Sequence, residues 1–306
     1  MNRVTVSSPA SSANLGSGYD VFALALREPV DVLTLGRTEE GVKLRMEGVP
    51  LTAPSRRNVV SGVVRAIMER ENVRAGVSLE LEKGVPVGAG LGSSAASSAA
   101  AAVGMNALFD LELSDRELVE YAGIGERIAS GAAHYDNVTA AIIGGFVVAS
   151  GSQRFVRIDA PSRLALCLVT PQVALPPRKT EFARSLVPKH PSLDEVVNTV
   201  ASASMLVHGL LTKNLVEIGE GMQVGFVDPR RAKMIPEFAR VRESALNNGA
   251  FGVCISGAGP TLLAATTRGK AGAVRRAMIK AFQRVGIQSQ GFVTGVGVGC
   301  RVIERN

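Results

Sequence analysis

The sequence predicts a protein of mixed helices and strands divided into two domains. Three observations carry that expectation. The chain has 306 residues, more than a single core usually needs. Short alternating apolar runs recur between segments of helical periodicity. A small polar stretch, Gly151–Gln153, interrupts the pattern near the middle, so the division is set there, with residues 1–151 in one domain and 152–306 in the other.

Taken in order, Arg3–Ser8 alternates and reads as a strand. In Pro9–Leu26, small and polar residues give way to an apolar stretch, so a functional loop is expected over Ser11–Asp20. Pro29–Leu35 and Val42–Met46 read as a pair of strands. Ser55–Asn72 reads as an amphipathic helix, with Val59, Val60, Val63, Val64 and Ile67 on one side. Val77–Leu81 is a strand, and Ala95–Leu108 a helix, because alanine has the best helix propensity and no proline interrupts the run. Ser114 and Glu117 form a capping box that opens a helix to about Ser130. Gly131–Gly145 leads into a strand, Phe146–Ser150.

Beyond the division, Leu164–Thr170 reads as a strand and Pro171–Pro188 as a loop rich in proline and basic residues. Ser192 and Glu195 make a second capping box, starting a helix to about Leu211. Pro236 begins a further helix, which Gly249 stops at a C′ position. Phe251–Ile255 and Thr261–Ala265 are short strands joined by Ser256–Pro260. Ala271–Val285 is a helix with a basic outer face, and the last strands fall within Gln288–Val302.

Composition narrows the function classes. Hydrophobic residues make up 46% and charged residues 20%, which fits a globular chain and excludes a disordered one. Aromatics are only 4% and tryptophan is missing, so the core must be aliphatic. The net charge of +7 suits an acidic ligand, but the basic residues are scattered without aromatic interleaving, which argues against nucleic acid. Cys167, Cys254 and Cys300 lie far apart without a CxxC, so neither a disulfide framework nor a cysteine zinc site is expected. With no apolar signal core and no run of about 18 apolar residues, a cytoplasmic location without a membrane partner is expected.

The stretch around which the chain is organised is Pro86–Ser98, PVGAGLGSSAASS. It follows a strand and opens a helix, whose free N–H groups and positive dipole end attract an anion. Gly88, Gly90 and Gly92 let the backbone approach that anion and take positive φ. Ser93 and Ser94 can cap the helix or hold a phosphate or metal ion. Neither common phosphate signature is present. GxxxxGK[ST] is missing, and the last glycine of the dinucleotide fingerprint falls one residue early. Two further small-residue loops, Ser11–Gly18 and Ser256–Gly259, follow extended segments and invite convergence on one ligand.

On these three stretches the sequence resembles the GHMP kinases, named for galactokinase, homoserine kinase, mevalonate kinase and phosphomevalonate kinase. PVGAGLGSSAA looks like their phosphate loop, PASSANLGSGYD like their first motif and ISGAGPTLLA like their third. The match runs over nearly the whole chain in the right order. Within the family it is most similar to the homoserine kinase branch. That likeness rests on Ala13–Gly16 followed by Asp20, on His134–Val138 leading into Gly144 and Gly145, and on Thr180–Arg184 with Leu186 and Pro188 behind. Ser17 and Tyr19 depart from the proline and phenylalanine common there, and no lysine of the mevalonate type occurs between Met1 and Leu35.

The resemblance implies a two-domain α+β fold, with a ribosomal-protein-like N-terminal domain, a ferredoxin-like C-terminal domain and a site in the cleft between them. It implies phosphorylation of the side-chain hydroxyl of L-homoserine by ATP with Mg²⁺, and it leaves a homodimer open. The cofactor would lie on Pro86, Val87, Gly88, Ala89, Gly90, Leu91, Gly92, Ser93, Ser94, Ala95 and Ala96, with Asn58 at the adenine and Mg²⁺ on Ser94 and Glu126. A zwitterionic substrate wants arginine for its carboxylate and an acceptor for its ammonium; Arg184, Arg231 and Asp20 are the implied groups. Asn14, Asn137, Thr180 and His134 would surround the reacting end.

Each of these residues also has a plainer reading. Asp20 caps a following segment, Arg184, Arg231 and Glu126 are solvated charges, and His134 makes a structural hydrogen bond beside a helix start. His190 and His208 read as structural. Direct transfer without a strong general base is expected, with Asp136 the nearest candidate for one. The same fold with another acceptor such as mevalonate or shikimate is the alternative, ahead of a nucleotide sensor or an RNA-binding module.

Overall fold

The computed structural model describes residues 2–47, 58–223 and 225–306. Strands β1 (Arg3–Asn14) and β2 (Gly18–Thr38) form a long antiparallel hairpin. The expected loop is shorter than Ser11–Asp20, because Ser11–Ala13 still pair with Ala23–Ala25. The chain reverses at Asn14, Leu15 and Gly16, all at positive φ. Gly16 is required there: a Cβ would stand 2.0 Å from the carbonyl oxygen of Met222.

β3 (Val42–Glu47) does not pair with β2 as expected; it runs parallel to β4 (Gly76–Glu82), which lies between them. α1 (Val59–Arg70) starts at Asn58; residues 55–57 of the expected helix lie outside the described residues. α2 (Ser93–Phe109) is buried nearly all round and has no apolar stripe. Its small residues let neighbours close in, so that Gly104 meets Leu35 and Ser98 meets Gly125. α3 (Asp115–Ser130) opens on the Ser114–Glu117 capping box and packs on α1 and α2. α4 (Tyr135–Ile143) follows it, and then β5 (Phe146–Ala149) and β6 (Phe155–Ile158).

The second sheet is fully antiparallel in the order β10-β7-β9-β8, a ferredoxin-like arrangement of β7 (Leu164–Pro171), β8 (Gly252–Ile255), β9 (Leu262–Thr267) and β10 (Ser289–Thr294). Period-two alternation sorts its faces. Ala165, Cys167 and Val169 meet α9 (Phe238–Asn247) and α10 (Arg268–Gln283). Leu164, Leu166 and Leu168 face α6 (Leu193–Leu211), α7 (Leu215–Gln223) and the first domain. The loop expected over Pro171–Pro188 contains a short helix, α5 (Lys179–Ser185), with one buried residue, Ala183. Seven residues are too few to show a period. α8 (Asp228–Arg231) is a single turn.

Among the described residues three large apolar clusters hold the molecule together: one under the first sheet, one under the second, and one between them that includes Leu15, Leu24, Phe146, Leu206, Ile218 and Met222; a small fourth gathers Ala13, Ala23, Ala140 and Val147. Two strands beyond residue 151 join the first sheet. β6 pairs with β5, and β11 (Arg301–Arg305) returns to pair with β1. Among the described residues no helix is long and apolar enough to cross a membrane.

Candidate active site

The three small-residue stretches meet. Ser11 N–H donates to the Leu91 carbonyl at 3.0 Å, and Gly257 N–H to the Ala13 carbonyl at 3.0 Å. Ser256 Oγ donates to the Gly90 carbonyl and accepts from Ser12 Oγ, each at 2.8 Å. The glycine spacing follows from this crowding. A Cβ on Gly90 would stand 2.5 Å from the Ser256 carbonyl oxygen, and one on Gly92 2.0 Å from Ser11 Oγ. Gly88, at φ +75°, meets nothing within 4 Å, so its face of the loop is open.

Gly92 is the N-cap of α2 in the left-handed conformation, and no side chain caps the helix. Its first amides are therefore left to a ligand. Ser93 Oγ donates to the Val85 carbonyl at 3.0 Å, whereas Ser94 Oγ engages no described residue. A buried network clamps both ends of the loop. Lys83 pairs with Asp31 and donates to the Ser93 carbonyl at 3.1 Å and to Ser97 Oγ at 3.0 Å. Asp31 also accepts the amides of Gly84 and Val85 and the Ser97 hydroxyl. Sequence reasoning passed over this pair; a lone acid in an apolar strand, Asp31 in Pro29–Leu35, was the available signal.

Opposite the loop, Arg184 on α5 grips Asp20 with two N–H groups, at 3.2 and 2.5 Å. Asn14 bridges the first and third motifs, accepting from Asp20 N–H at 3.1 Å and donating to the Gly257 carbonyl at 2.9 Å. Arg231 on α8 is only 3% exposed and donates to the Ala183 and Gly257 carbonyls, at 3.1 Å each. Its guanidinium sits 4.9 Å from the Tyr19 ring centre, and that of Arg184 5.8 Å. Neither arginine is a freely solvated charge.

Glu126 is buried late on α3. Its Oε2 meets His134 Nδ1 at 3.1 Å, and its Oε1 has no partner. His134, at the N-cap of α4, also meets Ser130 Oγ at 3.2 Å; its buried Nε2 is unpartnered. Hydrogen bonding to Glu126 pushes the His134 pKa up. Asp136 is buried, and burial pushes its pKa up to about 6. Its Oδ1 accepts from the backbone and side-chain N–H groups of Asn137, whose own Oδ1 accepts from Ser11 Oγ at 2.9 Å. The unpartnered oxygen of Glu126 is a fit for a hard cation. Among the described residues no three acidic, His or Cys side chains form a complete metal cage, which suits an ion that fills its octahedron with phosphate and water.

Lys179 and Thr180 open α5; the lysine was missed, because the Thr180–Arg184 motif begins one residue after it and its loop holds other basic residues. Lys179 Nζ donates to the Gly88 carbonyl at 2.9 Å and to the Gly259 carbonyl. Asn58 caps α1, accepting from Val60 N–H at 2.9 Å, and its amide reaches Met46 Sδ. His208 is exposed and bonded to Glu217.

The chain that carries this site is similar to known proteins over nearly its whole length. Residues 58–145 match the GHMP kinases N-terminal domain, and residues 206–284 the GHMP kinases C-terminal domain. The chain belongs to the GHMP kinase family. It is 41% identical to a homoserine kinase of Natronomonas pharaonis over 98% of this chain and 99% of that one. It is also 41% identical to a homoserine kinase of Halorubrum lacusprofundi, at the same coverage. A crystal structure of homoserine kinase from Cytophaga hutchinsonii superposes with a TM-score of 0.92 at 33% identity, covering 99% of this chain and 98% of that one.

Proposed function

We propose that this chain transfers the γ-phosphoryl group of ATP to the side-chain hydroxyl of L-homoserine, giving O-phospho-L-homoserine and ADP. The observation that carries the reading is the facing of two complementary walls. One is an uncapped helix start behind an open glycine face; the other is Asp20 gripped by Arg184, with Arg231 on the ring of the adjacent Tyr19. The first suits a phosphate chain, and the second suits an amino acid's opposite charges. Full-length similarity to homoserine kinases supports the same acceptor.

In this reading the phosphates lie on Gly88–Ser94. Glu126 and Ser94 would hold Mg²⁺, which neutralises phosphate charge when bound. The substrate ammonium meets Asp20, and its carboxylate meets Arg184 and Arg231. Asn14, Asn137 and Thr180 orient the hydroxyl, and His134 fixes the carboxylate of Glu126. As the hydroxyl oxygen bonds to the γ-phosphorus, the bond to the bridging oxygen breaks. The hydroxyl proton leaves to phosphate or water. A loose transition state needs positioning and charge neutralisation more than a base. Asp136 is poorly suited to that task, because Oδ1 is held by Asn137. Asn58 at the adenine, a reducing cytoplasm for three unpaired cysteines and the division near residue 151 complete the reading.

A coupled ADP-release assay with MgATP and L-homoserine, mevalonate or shikimate tests the acceptor. Turnover is expected with homoserine, and preference for another alcohol would overturn the reading. D136N should keep turnover. If it abolished turnover while both substrates still bound, the transfer would need a base.

A further inference from the structure

The phosphate loop supplies amides but no cation. Between Gly88 and Ser94 there is no basic side chain, and Lys83, just upstream, is committed to Asp31, Ser97 and the Ser93 carbonyl. Even with Mg²⁺ held by Glu126 and Ser94, a triphosphate laid on these amides keeps part of its charge uncompensated. Lys179 reaches this place from the other domain. Its ammonium lies on the Gly88 carbonyl, at the lip of the loop's open face, and on the Gly259 carbonyl in the third motif. Two of its three protons are engaged by neutral acceptors, and no carboxylate pairs with it among the described residues.

We propose that Lys179 is the phosphate-binding cation of this site, standing on the carbonyls of Gly88 and Gly259 where it meets the phosphate end of the nucleotide. The inference rests on the ATP-dependent reading above and adds to it a residue from the C-terminal half.

The surroundings fit a group that awaits an anion. The phosphate loop and the turn around Gly259 face Lys179 with carbonyls, and α8 faces it with Arg231, a like charge. On its own helix, Arg178 and Glu181 pair with each other at 3.2 Å. Burial, with Arg231 second, pushes the Lys179 pKa down to about 8. A partly buried ammonium with only carbonyl partners beside a guanidinium is costly, and an approaching phosphate oxygen offsets that cost.

The test compares K179M and K179R with the wild type by calorimetric titration of MgATP and of adenosine, and by kcat/KM for MgATP against pH. Removing one charge-assisted hydrogen bond should weaken MgATP binding by about ten- to a hundred-fold. Adenosine affinity should be unchanged, and K179R should stay within a few-fold of wild type. Wild-type kcat/KM should fall above about pH 8, since that parameter reports the free enzyme's ionisations, while K179R holds level to about pH 9.5. Equal losses for MgATP and adenosine, or no loss for either, would overturn this inference alone. Wild-type protein that binds no ATP would overturn it together with the kinase reading. Should K179M fail to fold, the K179R profile decides: an alkaline decline identical to the wild type's would overturn the proposal.

Discussion

Arg184 and Arg231 carry the same charge toward the same place but sit in different surroundings. Arg184 has 37% of its side chain exposed and pairs with Asp20, also 37% exposed. Arg231 is buried and holds two backbone carbonyls. R184A should therefore raise the homoserine KM by on the order of a hundred-fold with little change in melting temperature, because exposed pairs add little stability. R231A should raise KM as well and also unfold earlier, by roughly 2–4 kcal/mol, since it strands the carbonyls of Ala183 and Gly257. Steady-state kinetics beside thermal melts separates the two. Asp228 makes a second prediction. It is buried, accepts from Ile255 N–H at 2.9 Å, and burial raises its pKa from 3.8 to about 6. A carboxyl whose folded pKa is raised costs stability once deprotonated, so the cost appears as pH rises from about 4 to about 6 and stays constant above. D228N removes the charge and keeps an acceptor for Ile255. Its advantage over wild type should be near zero at about pH 4 and grow to as much as about 3 kcal/mol by pH 7, read from denaturant midpoints.

At the scale of elements, the phosphate loop is shaped by what presses on it. Gly90 faces the Ser256 and Gly259 carbonyls and Gly92 faces Ser11, whereas Gly88 faces open space. G90A must displace backbone and should cost more than about 3 kcal/mol or prevent folding, by denaturant unfolding. G88A carries only the strain of a positive φ, about 1 kcal/mol, and should fold while losing ATP affinity, because its methyl group stands on the open face. The legibility of the elements follows the same logic. The helices opened by Ser114 and Ser192 were readable to the residue because a capping box is a local device: its partners lie three positions apart. α5 was not, because Arg178 caps it with a positive φ and no side-chain bond, and its position is set by packing of Ala183 and the grip of Arg184 on Asp20. α7 had a signal that went unread, Asn214 accepting from Val216 N–H at 3.1 Å.

At the scale of the molecule, the two sheets share a third apolar cluster and are tied by bonds from Ser12, Ala13 and Asn14 to the turn of residues 256–259. The first sheet also takes β6 and β11 from beyond residue 151. A fragment ending at residue 151 should therefore fail to fold stably, since it leaves β1 and β5 with bare edges and half of the shared cluster exposed. The full chain should unfold in one transition by circular dichroism. A fragment with a cooperative melt of its own would contradict this.

The glycine spacing and the capping boxes were readable from the chain alone, because each is a chemical requirement carried by residue type at a short separation; Asp20, Arg184 and Arg231 entered only as the groups the family resemblance implies. The tertiary structure decided which lysine is held at Asp31 and which at Gly88, that Asp20 and Arg184 pair with each other, and that Glu126 keeps one oxygen without a partner. Those facts join residues as much as 164 positions apart. Burial and distance across such separations arise only when the sheets pack, and no local pattern encodes them.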